Sequence, residues 1–177
     1  FFYGQSLTKI LKKNIYLKKG AKIFIHPVKN PSLYGVATLN KNKKVTNLVE
    51  KPKNIKSNLA VTGLYFFDNK VIELTKKLKP SKRGELEIID LLNYYRKKNN
   101  LKAELIGRGG SWLDTGNFSD FYEASNFIST IENRQGLKVA CIEEIAFKQG
   151  WIKKSDIKNA IKFYGNCNYS NYLKNLI

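Results

Sequence analysis

The residues that build disulfides and metal sites are scarce in this sequence, which has one histidine, two cysteines and no methionine among 177 residues. Cys141 and Cys167 lack C-x-x-C spacing and His26 has no recognisable Ser or Cys partner, so we predict neither a disulfide framework nor a zinc site. We expect His26 and Cys141 to be structural, and reduced thiols favour the cytoplasm. Because the chain begins with Phe1 rather than Met, we also expect a fragment of a longer protein.

Long hydrophobic runs are also missing. No stretch approaches the roughly 18 consecutive apolar residues of a membrane span, and the first residues show no charged segment followed by an apolar one, the pattern of a signal peptide. We therefore expect no membrane partner. Hydrophobic residues make up 42% of the sequence, which is enough for a buried core and predicts a single globular domain over residues 1–177.

Acidic residues are few: 14 Asp and Glu stand against 32 Lys and Arg, which gives a formal net charge of +18. Such a charge is typical of proteins that bind nucleic acid or another polyanion. However, only four of these 32 cations are arginines, the residue favoured for base and phosphate recognition, and the lysines are dispersed. We therefore predict no nucleic-acid partner, and a basic polyanion-binding module is the distant alternative.

Apolar patterning predicts a mixed α/β fold. Runs rich in β-branched and aromatic residues predict strands at residues 22–28, 34–40, 44–50, 59–67 and 101–106. The short turn at 40–43 favours an antiparallel hairpin, although it contains no glycine.

Helical periodicity predicts a first helix at 6–13 capped by Ser6, and further helices at 69–78, 84–98, 117–133, 142–149, 155–162 and 169–176. Gly136 is a predicted helix stop. The apolar stripe of the helix at 84–98 is predicted to comprise Leu86, Ile89, Leu92 and Tyr95.

Glu50 and Lys51 end a predicted strand immediately before Pro52, and Glu50 is the first carboxylate of the chain. A carboxylate at a strand end can accept hydrogen bonds from sugar hydroxyls. A neighbouring lysine offers a point charge to a phosphate in the crevice where α/β proteins bind ligands. The alternative is a pair of solvated neighbours, with Lys51 as one more surface lysine.

Arg83 and Asp114 stand in two glycine-containing loops. Arg83 precedes a helix whose first turn carries Glu85 and Glu87, so it can bridge a phosphate or pair with either carboxylate. Asp114 suits Mg²⁺, which takes one or two carboxylates together with phosphate oxygens. The alternative is that Asp114 or Thr115 caps the helix predicted near residue 117.

Taken together and in order, segments along the whole chain resemble the glucose-1-phosphate thymidylyltransferase family. These segments are FFYGQSL, NPSLYGV, EKPKNIKSNLAVTGLYFFDN, KPSKRGELEIIDLLNYY, LIGRGGSWLDTGNF, EASNFISTIENRQGLKVACIEEIAFKQGWI and NYLKNLI. The part QGLKVACIEEIAFKQGWI resembles this family more than other sugar nucleotidyltransferases. The resemblance implies a Rossmann-like α/β fold, with an incomplete mixed sheet over residues 1–116 and a helical tail over residues 117–177.

The family makes dTDP-glucose from dTTP and α-D-glucose 1-phosphate with Mg²⁺, for products such as the dTDP-rhamnose of lipopolysaccharide O-antigens. The resemblance implies that Lys51 and Arg83 are the catalytic cations on the sugar phosphate and that Glu50 accepts glucose hydroxyls. It implies that Asp114 is one of two Mg²⁺-binding aspartates. The remaining sugar-pocket residues that it implies are Tyr34, Gly35, Val61 and Trp112.

The family is also homotetrameric and has a regulatory nucleotide site at a subunit interface. Two residues depart from the family pattern there, because Thr8 stands where the family often has His and Lys148 where it often has Arg. These departures leave feedback control open. The regulatory residues that the resemblance implies are Tyr3, Gly4, Arg108, Glu144 and Ile145.

The family's glycine-rich signature, Gly-Gly-x-Gly-Thr-Arg-Leu, has no counterpart in this sequence. Its backbone amides cradle the triphosphate, and the family's first Mg²⁺ aspartate would directly precede Phe1. We therefore expect the C-terminal three-fifths of the enzyme, which carries the sugar-phosphate half of the active site and is inactive alone. The alternatives are a uridylyl- or cytidylyltransferase and a decayed, non-functional remnant.

Overall fold

The computed structural model describes residues 1–4 and 7–177, which form two compact units, Phe1–Trp112 and Leu113–Ile177. Each unit has its own hydrophobic core. The predicted helix cap Ser6 lies outside the described residues. The prediction of a single domain over residues 1–177, with a sheet region at 1–116 and a helical tail at 117–177, stays a prediction. The first unit contains β1 Phe2–Gly4, α1 Leu7–Asn14, β2 Ala21–Pro27, β3 Gly35–Leu39, β4 Val45–Glu50, β5 Leu59–Phe67, α2 Val71–Thr75, α3 Ile88–Lys97, β6 Leu101–Leu105 and β7 Gly110–Trp112.

Five strands of the first unit form one mixed sheet in the order β4-β3-β5-β2-β6. β2 and β6 run parallel, whereas the other neighbours are antiparallel. The predicted mixed α/β class and the five predicted strands are confirmed, with ends that differ by at most one residue. The first strand pair, β1 with β7, was not predicted, because strands of three residues carry almost no periodicity.

The predicted hairpin joins β3 to β4 and is confirmed as antiparallel. Its turn forms without glycine because the Asn40 side chain accepts hydrogen bonds from the backbone N–H groups of Asn42 (3.0 Å) and Lys44 (2.9 Å). Lys43 takes the positive φ of 59° that a glycine would otherwise supply.

Helix α3 packs against the sheet through buried Ile89, Leu92 and Tyr95. The prediction that Leu86 continues this stripe is wrong, since Leu86 is 61% exposed and the helix begins only at Ile88. The residues before it form a loop in which Gly84 has a φ of +77°, a conformation that interrupts helical geometry. This loop carries Arg83.

Within the described residues, β3 and β5 pair through Val36 with Ala60 and Ala37 with Leu59. Further along β5 the register with β2 shifts, and Gly63 has a φ of +77° with open space around its Cα. A glycine at positive φ within a strand is typical of a β-bulge, which bends the strand.

The second unit contains α4 Phe118–Gln135, α5 Ile142–Lys148, α6 Lys154–Tyr164 and α7 Asn168–Lys174. Asn117 caps α4 by accepting from the backbone N–H of Asp120 (3.0 Å), and Gly136 ends α4 at a φ of +66°, as predicted. The core of this unit includes Cys141, which is buried as predicted. No helix among the described residues is long and apolar enough to span a membrane.

Candidate active site

The candidate site lies at the end of the β3–β4 ladder, beside Gly35 and Glu50. Gly35 is the register partner of Glu50, and the backbone N–H of Lys51 donates to the carbonyl of Tyr34 (3.0 Å). A Cβ on Gly35 would lie 2.7 Å from Ile89 Cδ1 and 3.1 Å from Glu50 Oε2. Only glycine therefore leaves room for the Glu50 carboxylate in this position.

Lys51 follows the end of β4 and is exposed. Its backbone has a φ of 41°, in the left-handed region that residues with a Cβ rarely adopt. Backbone strain of this kind clusters at binding sites and catalytic sites. The strain and the adjacent Glu50 favour a functional role over the alternative of an ordinary surface lysine.

Arg83 is surrounded by three carboxylates. Its Nη2 lies 2.6 Å from Glu85 Oε2, and its Nη1 lies 3.6 Å from Glu87 Oε1 and 3.7 Å from Glu50 Oε1. The internal pairing with Glu85 and Glu87 that the sequence left open is therefore present. The structure also brings Arg83 to Glu50, which the sequence did not predict. A cation and a carboxylate of the implied sugar-phosphate site are thus adjacent.

The Glu50 carboxyl is electrostatically unusual. Burial raises its pKa, and the negative charge of Glu87 raises it further, while the positive charges of Lys51 and Arg83 act in the opposite direction. Burial also raises the pKa of the Tyr65 hydroxyl, and the negative charge of Glu50 raises it further. Perturbed carboxyl groups beside cations are typical of functional sites.

Aromatic and apolar residues lie at the same end of the first unit. The rings of Tyr34 and Trp112 meet edge to face with centroids 5.1 Å apart. Val61 is buried and follows Ala60, the last β5 residue paired with β3. The implied pocket residues Tyr34, Gly35 and Val61 therefore occupy the ends of neighbouring strands beside Glu50.

Asp114 belongs to the second unit. It accepts a hydrogen bond from the backbone N–H of Thr115 (2.8 Å), and the helix cap is Asn117, so the alternative that Asp114 or Thr115 caps α4 is wrong. A Cβ on Gly116 would touch Asp114 Oδ2 at 3.4 Å, so glycine keeps one side of the carboxylate open. A half-buried carboxylate fits one Mg²⁺ ligand. No group of three metal-binding side chains occurs in the described part of the chain.

The implied regulatory residues divide between the two units. Tyr3 and Gly4 lie in β1, which pairs with β7, and they line a cavity of about 290 Å³. Arg108 is exposed in the loop between β6 and β7. In the second unit, Ile145 is 46% exposed. The Glu144 carboxylate accepts hydrogen bonds from the side chains of Lys148 and Tyr172.

Sequence reasoning missed two features of the site. Glu87 was considered only as a partner of Arg83, although it also raises the pKa of Glu50. Tyr65 was not considered as a site residue at all. Gly63, a glycine inside an otherwise apolar strand, was the available signal for an irregular β5 beside the site.

Solved sugar nucleotidyltransferases share the mixed α/β fold of this chain. A solved structure assigned as a glucose-1-phosphate thymidylyltransferase, from Bacillus anthracis and in complex with sucrose, matches 72% of this chain and 50% of its own with a TM-score of 0.60 and 37% identity. A UDP-glucose pyrophosphorylase complexed with UDP-glucose matches 71% of this chain and 48% of its own, with a TM-score of 0.58 and 28% identity.

The chain belongs to the nucleotidyl transferase family, whose sequence model matches residues 1–131. A glucose-1-phosphate thymidylyltransferase from Neisseria meningitidis serogroup A is 43% identical over 176 residues, which cover 99% of this chain and 61% of that relative. The chain therefore spans about three-fifths of the length of this curated relative.

Proposed function

We propose that this chain is the sugar-phosphate-binding part of a glucose-1-phosphate thymidylyltransferase. The observation that carries the proposal is the position of Glu50 at the end of β4, where its Oε1 lies 3.7 Å from Arg83 Nη1 and it directly precedes Lys51. A carboxylate accepts hydrogen bonds from glucose hydroxyls, while a guanidinium fork and an ammonium group bind the phosphate.

The other pocket residues have matching roles in this proposal. Gly35 leaves space for the Glu50 carboxylate, and Tyr34 with Trp112 forms an aromatic wall for the hexose ring. Val61 offers its backbone next to Ala60, which pairs with Val36 of β3. The sugar is thereby oriented with its phosphate toward Lys51 and Arg83.

The reaction that we propose is an in-line attack of a glucose 1-phosphate oxygen on the α-phosphorus of dTTP. The new P–O bond gives dTDP-glucose, and the broken P–O bond releases pyrophosphate. Lys51 and Arg83 contribute by positioning the attacking phosphate and by balancing its charge, without a covalent protein intermediate. Asp114 would hold Mg²⁺, which neutralises charge on the phosphate groups when it is bound.

Binding of glucose 1-phosphate to the 177-residue chain tests this proposal. Isothermal titration calorimetry should detect binding that weakens on the order of tenfold in Glu50→Gln and in Arg83→Gln, because each loses a charged hydrogen-bonding partner. Glu123→Gln, on the exposed face of α4, serves as the matched control and should bind as the unaltered chain does. A folded chain that binds no glucose 1-phosphate would refute the proposal.

We further propose that the chain does not turn over alone, because its sequence holds no Gly-Gly-x-Gly-Thr-Arg-Leu segment. Pyrophosphate release from dTTP and glucose 1-phosphate with Mg²⁺ should be absent for the chain. It should appear when a family nucleotide-binding segment is joined to the chain, and Asp114→Asn should then remove most of it. Robust activity of the unextended chain would contradict this statement.

The choice of thymidine over uridine rests on similarity, since the thymidylyltransferase relative is 43% identical and the UDP-glucose pyrophosphorylase structure 28%. Comparison of dTTP with UTP in the extended chain decides between them. The same proposal includes a cytoplasmic, homotetrameric enzyme that supplies dTDP-glucose for dTDP-rhamnose and O-antigen. It also includes a regulatory nucleotide site at the cavity beside Tyr3 and Gly4.

A further inference from the structure

The two ends of the Arg83 guanidinium face different carboxylates. Nη1 lies 3.6 Å from Glu87 Oε1 and 3.7 Å from Glu50 Oε1, whereas Nη2 lies 2.6 Å from Glu85 Oε2. Three carboxylates therefore share one guanidinium. Of these three contacts only that with Glu85 is short enough for a hydrogen bond, so a phosphate that approaches Nη2 must compete with Glu85.

Glu87 is held firmly in the protein. Its side chain is 13% exposed, and Oε1 accepts a hydrogen bond from the Ser81 hydroxyl (2.9 Å). The Ser81 oxygen in turn accepts a hydrogen bond from the backbone N–H of Arg83 (3.1 Å). Glu87 is thus tied to the Arg83 loop both through the guanidinium and through Ser81.

Glu85 is placed differently. Its side chain is 60% exposed, and it meets Arg83 at the Nη2 end, away from Glu50 and Glu87. Exposed ion pairs contribute little to stability, because water screens them and two side chains must be ordered. Of the two glutamates in this loop, Glu85 is the one that a phosphate can displace at low cost.

We propose that Glu87 is a positioning residue that holds Arg83 beside Glu50, while Glu85 occupies the Nη2 end of Arg83 until a sugar phosphate displaces it. This inference rests on the proposed function. It assigns opposite roles to two glutamates that contact the same arginine. Removal of the charge of Glu85 should therefore favour the sugar phosphate, whereas removal of the charge of Glu87 should disfavour it.

The test measures glucose 1-phosphate binding to the 177-residue chain by isothermal titration calorimetry. Glu85→Gln should bind about threefold more tightly, which is the size of an exposed ion pair. Glu87→Gln should bind about tenfold more weakly, because Arg83 loses a charged partner. Glu87→Asp, which keeps the charge, should recover part of the affinity. Asp90→Asn removes the same charge from the exposed side of α3 and should leave the affinity unchanged.

A second readout follows Arg83 itself. The chain has four arginines, so the Nε–Hε region of its ¹⁵N spectrum is simple enough to assign Arg83. In the absence of ligand, its signal should stay sharp in Glu85→Gln and broaden in Glu87→Gln, because Glu87 is the less exposed of the two partners and is itself held by Ser81. A purely structural role for Glu87 would lower the melting temperature and leave the Arg83 signal unchanged.

The outcomes separate this inference from the proposed function. If the unaltered chain binds no glucose 1-phosphate, the proposed function is refuted and the inference falls with it. If the unaltered chain binds, tighter binding by Glu85→Gln together with weaker binding by Glu87→Gln supports the inference. If the unaltered chain binds and both variants shift the affinity in the same direction, the inference alone is refuted.

Discussion

Gly35 lies opposite Glu50 in the β3–β4 ladder, and its missing side chain is what makes space for the Glu50 carboxylate. A methyl group on Gly35 would lie 3.1 Å from Glu50 Oε2 on one side and 2.7 Å from the buried Ile89 side chain of α3 on the other. Ile89 cannot retreat easily, because it is part of the sheet core, so the Glu50 carboxylate is the neighbour that would have to move. The position of Glu50 therefore depends on a glycine in the neighbouring strand.

Gly35→Ala should destabilise the chain by about 1–3 kcal/mol, the usual cost of overpacking a well-packed site. It should also weaken glucose 1-phosphate binding, because the methyl group pushes the Glu50 carboxylate aside. Urea unfolding and calorimetry measure the two effects. Gly107→Ala is the control, since a Cβ at Gly107 meets nothing within 4 Å, and it should leave both quantities unchanged. Equal stability of the two variants would contradict the prediction.

Runs of β-branched and aromatic residues were sufficient to predict the five strands of the main sheet, because these side chains supply its buried core. Local sequence pattern was not sufficient where a strand or helix end is determined by contacts with residues distant in sequence. β1 and β7 have three residues each and pair across most of the first unit. Leu86 matches the α3 period, but the loop that presents Arg83 delays the start of the helix to Ile88.

The residue types of the candidate site were readable from the sequence, but their arrangement was not. Glu50 and Lys51 are adjacent in sequence at a strand end, and both stand out there. The contact of Arg83 with Glu50 forms only when the loop before α3 folds back on the end of β4. The charge of Glu50 acts on the Tyr65 hydroxyl because the sheet brings the two residues near each other, and no local sequence pattern predicts this.

The Glu50 carboxyl should make stability depend on pH. Burial, with the charge of Glu87, raises its pKa, so the folded chain binds this proton more tightly than the unfolded chain does. The stabilising contribution is complete below the ordinary pKa of a glutamate and is lost as the pH rises through the raised value. Glu50→Gln should therefore raise the melting temperature at neutral pH, with a difference that narrows toward pH of about 4.

Glu73→Gln, an exposed carboxylate on α2, is the control for the Glu50 experiment. It should change the melting temperature little at either pH. A Glu50→Gln chain that melts lower than the unaltered chain at neutral pH would contradict the prediction, because the ionised carboxylate would then be net stabilising through Arg83.

The outer edge of the sheet is covered by side chains of α3. β4 is the edge strand, and its carbonyls at Leu48 and Thr46 accept hydrogen bonds from Asn93 (3.2 Å) and Arg96 (2.8 Å). Open strand edges promote association through strand pairing. Replacing both α3 residues by alanine should cost about 2 kcal/mol in unfolding free energy and should produce concentration-dependent association in analytical ultracentrifugation.

Lys97→Ala provides the control for this edge, because Lys97 is exposed on the same helix. It should leave the sedimentation behaviour unchanged. If the double alanine variant stays at the association state of the unaltered chain at all concentrations, these side chains do not protect the edge.

Lys51 and Lys43 form a matched pair for separating backbone strain from binding. Both have positive φ, 41° and 59°, but Lys51 is next to Glu50 whereas Lys43 lies in the hairpin turn. Glycine at either position should raise the unfolding free energy by about 1 kcal/mol, because glycine adopts this backbone without steric cost. Lys51→Gly should also weaken glucose 1-phosphate binding on the order of tenfold through the lost charge, while Lys43→Gly should not. Denaturant unfolding and calorimetry on both variants measure the two effects, and equal affinities would show that Lys51 carries strain without binding the phosphate.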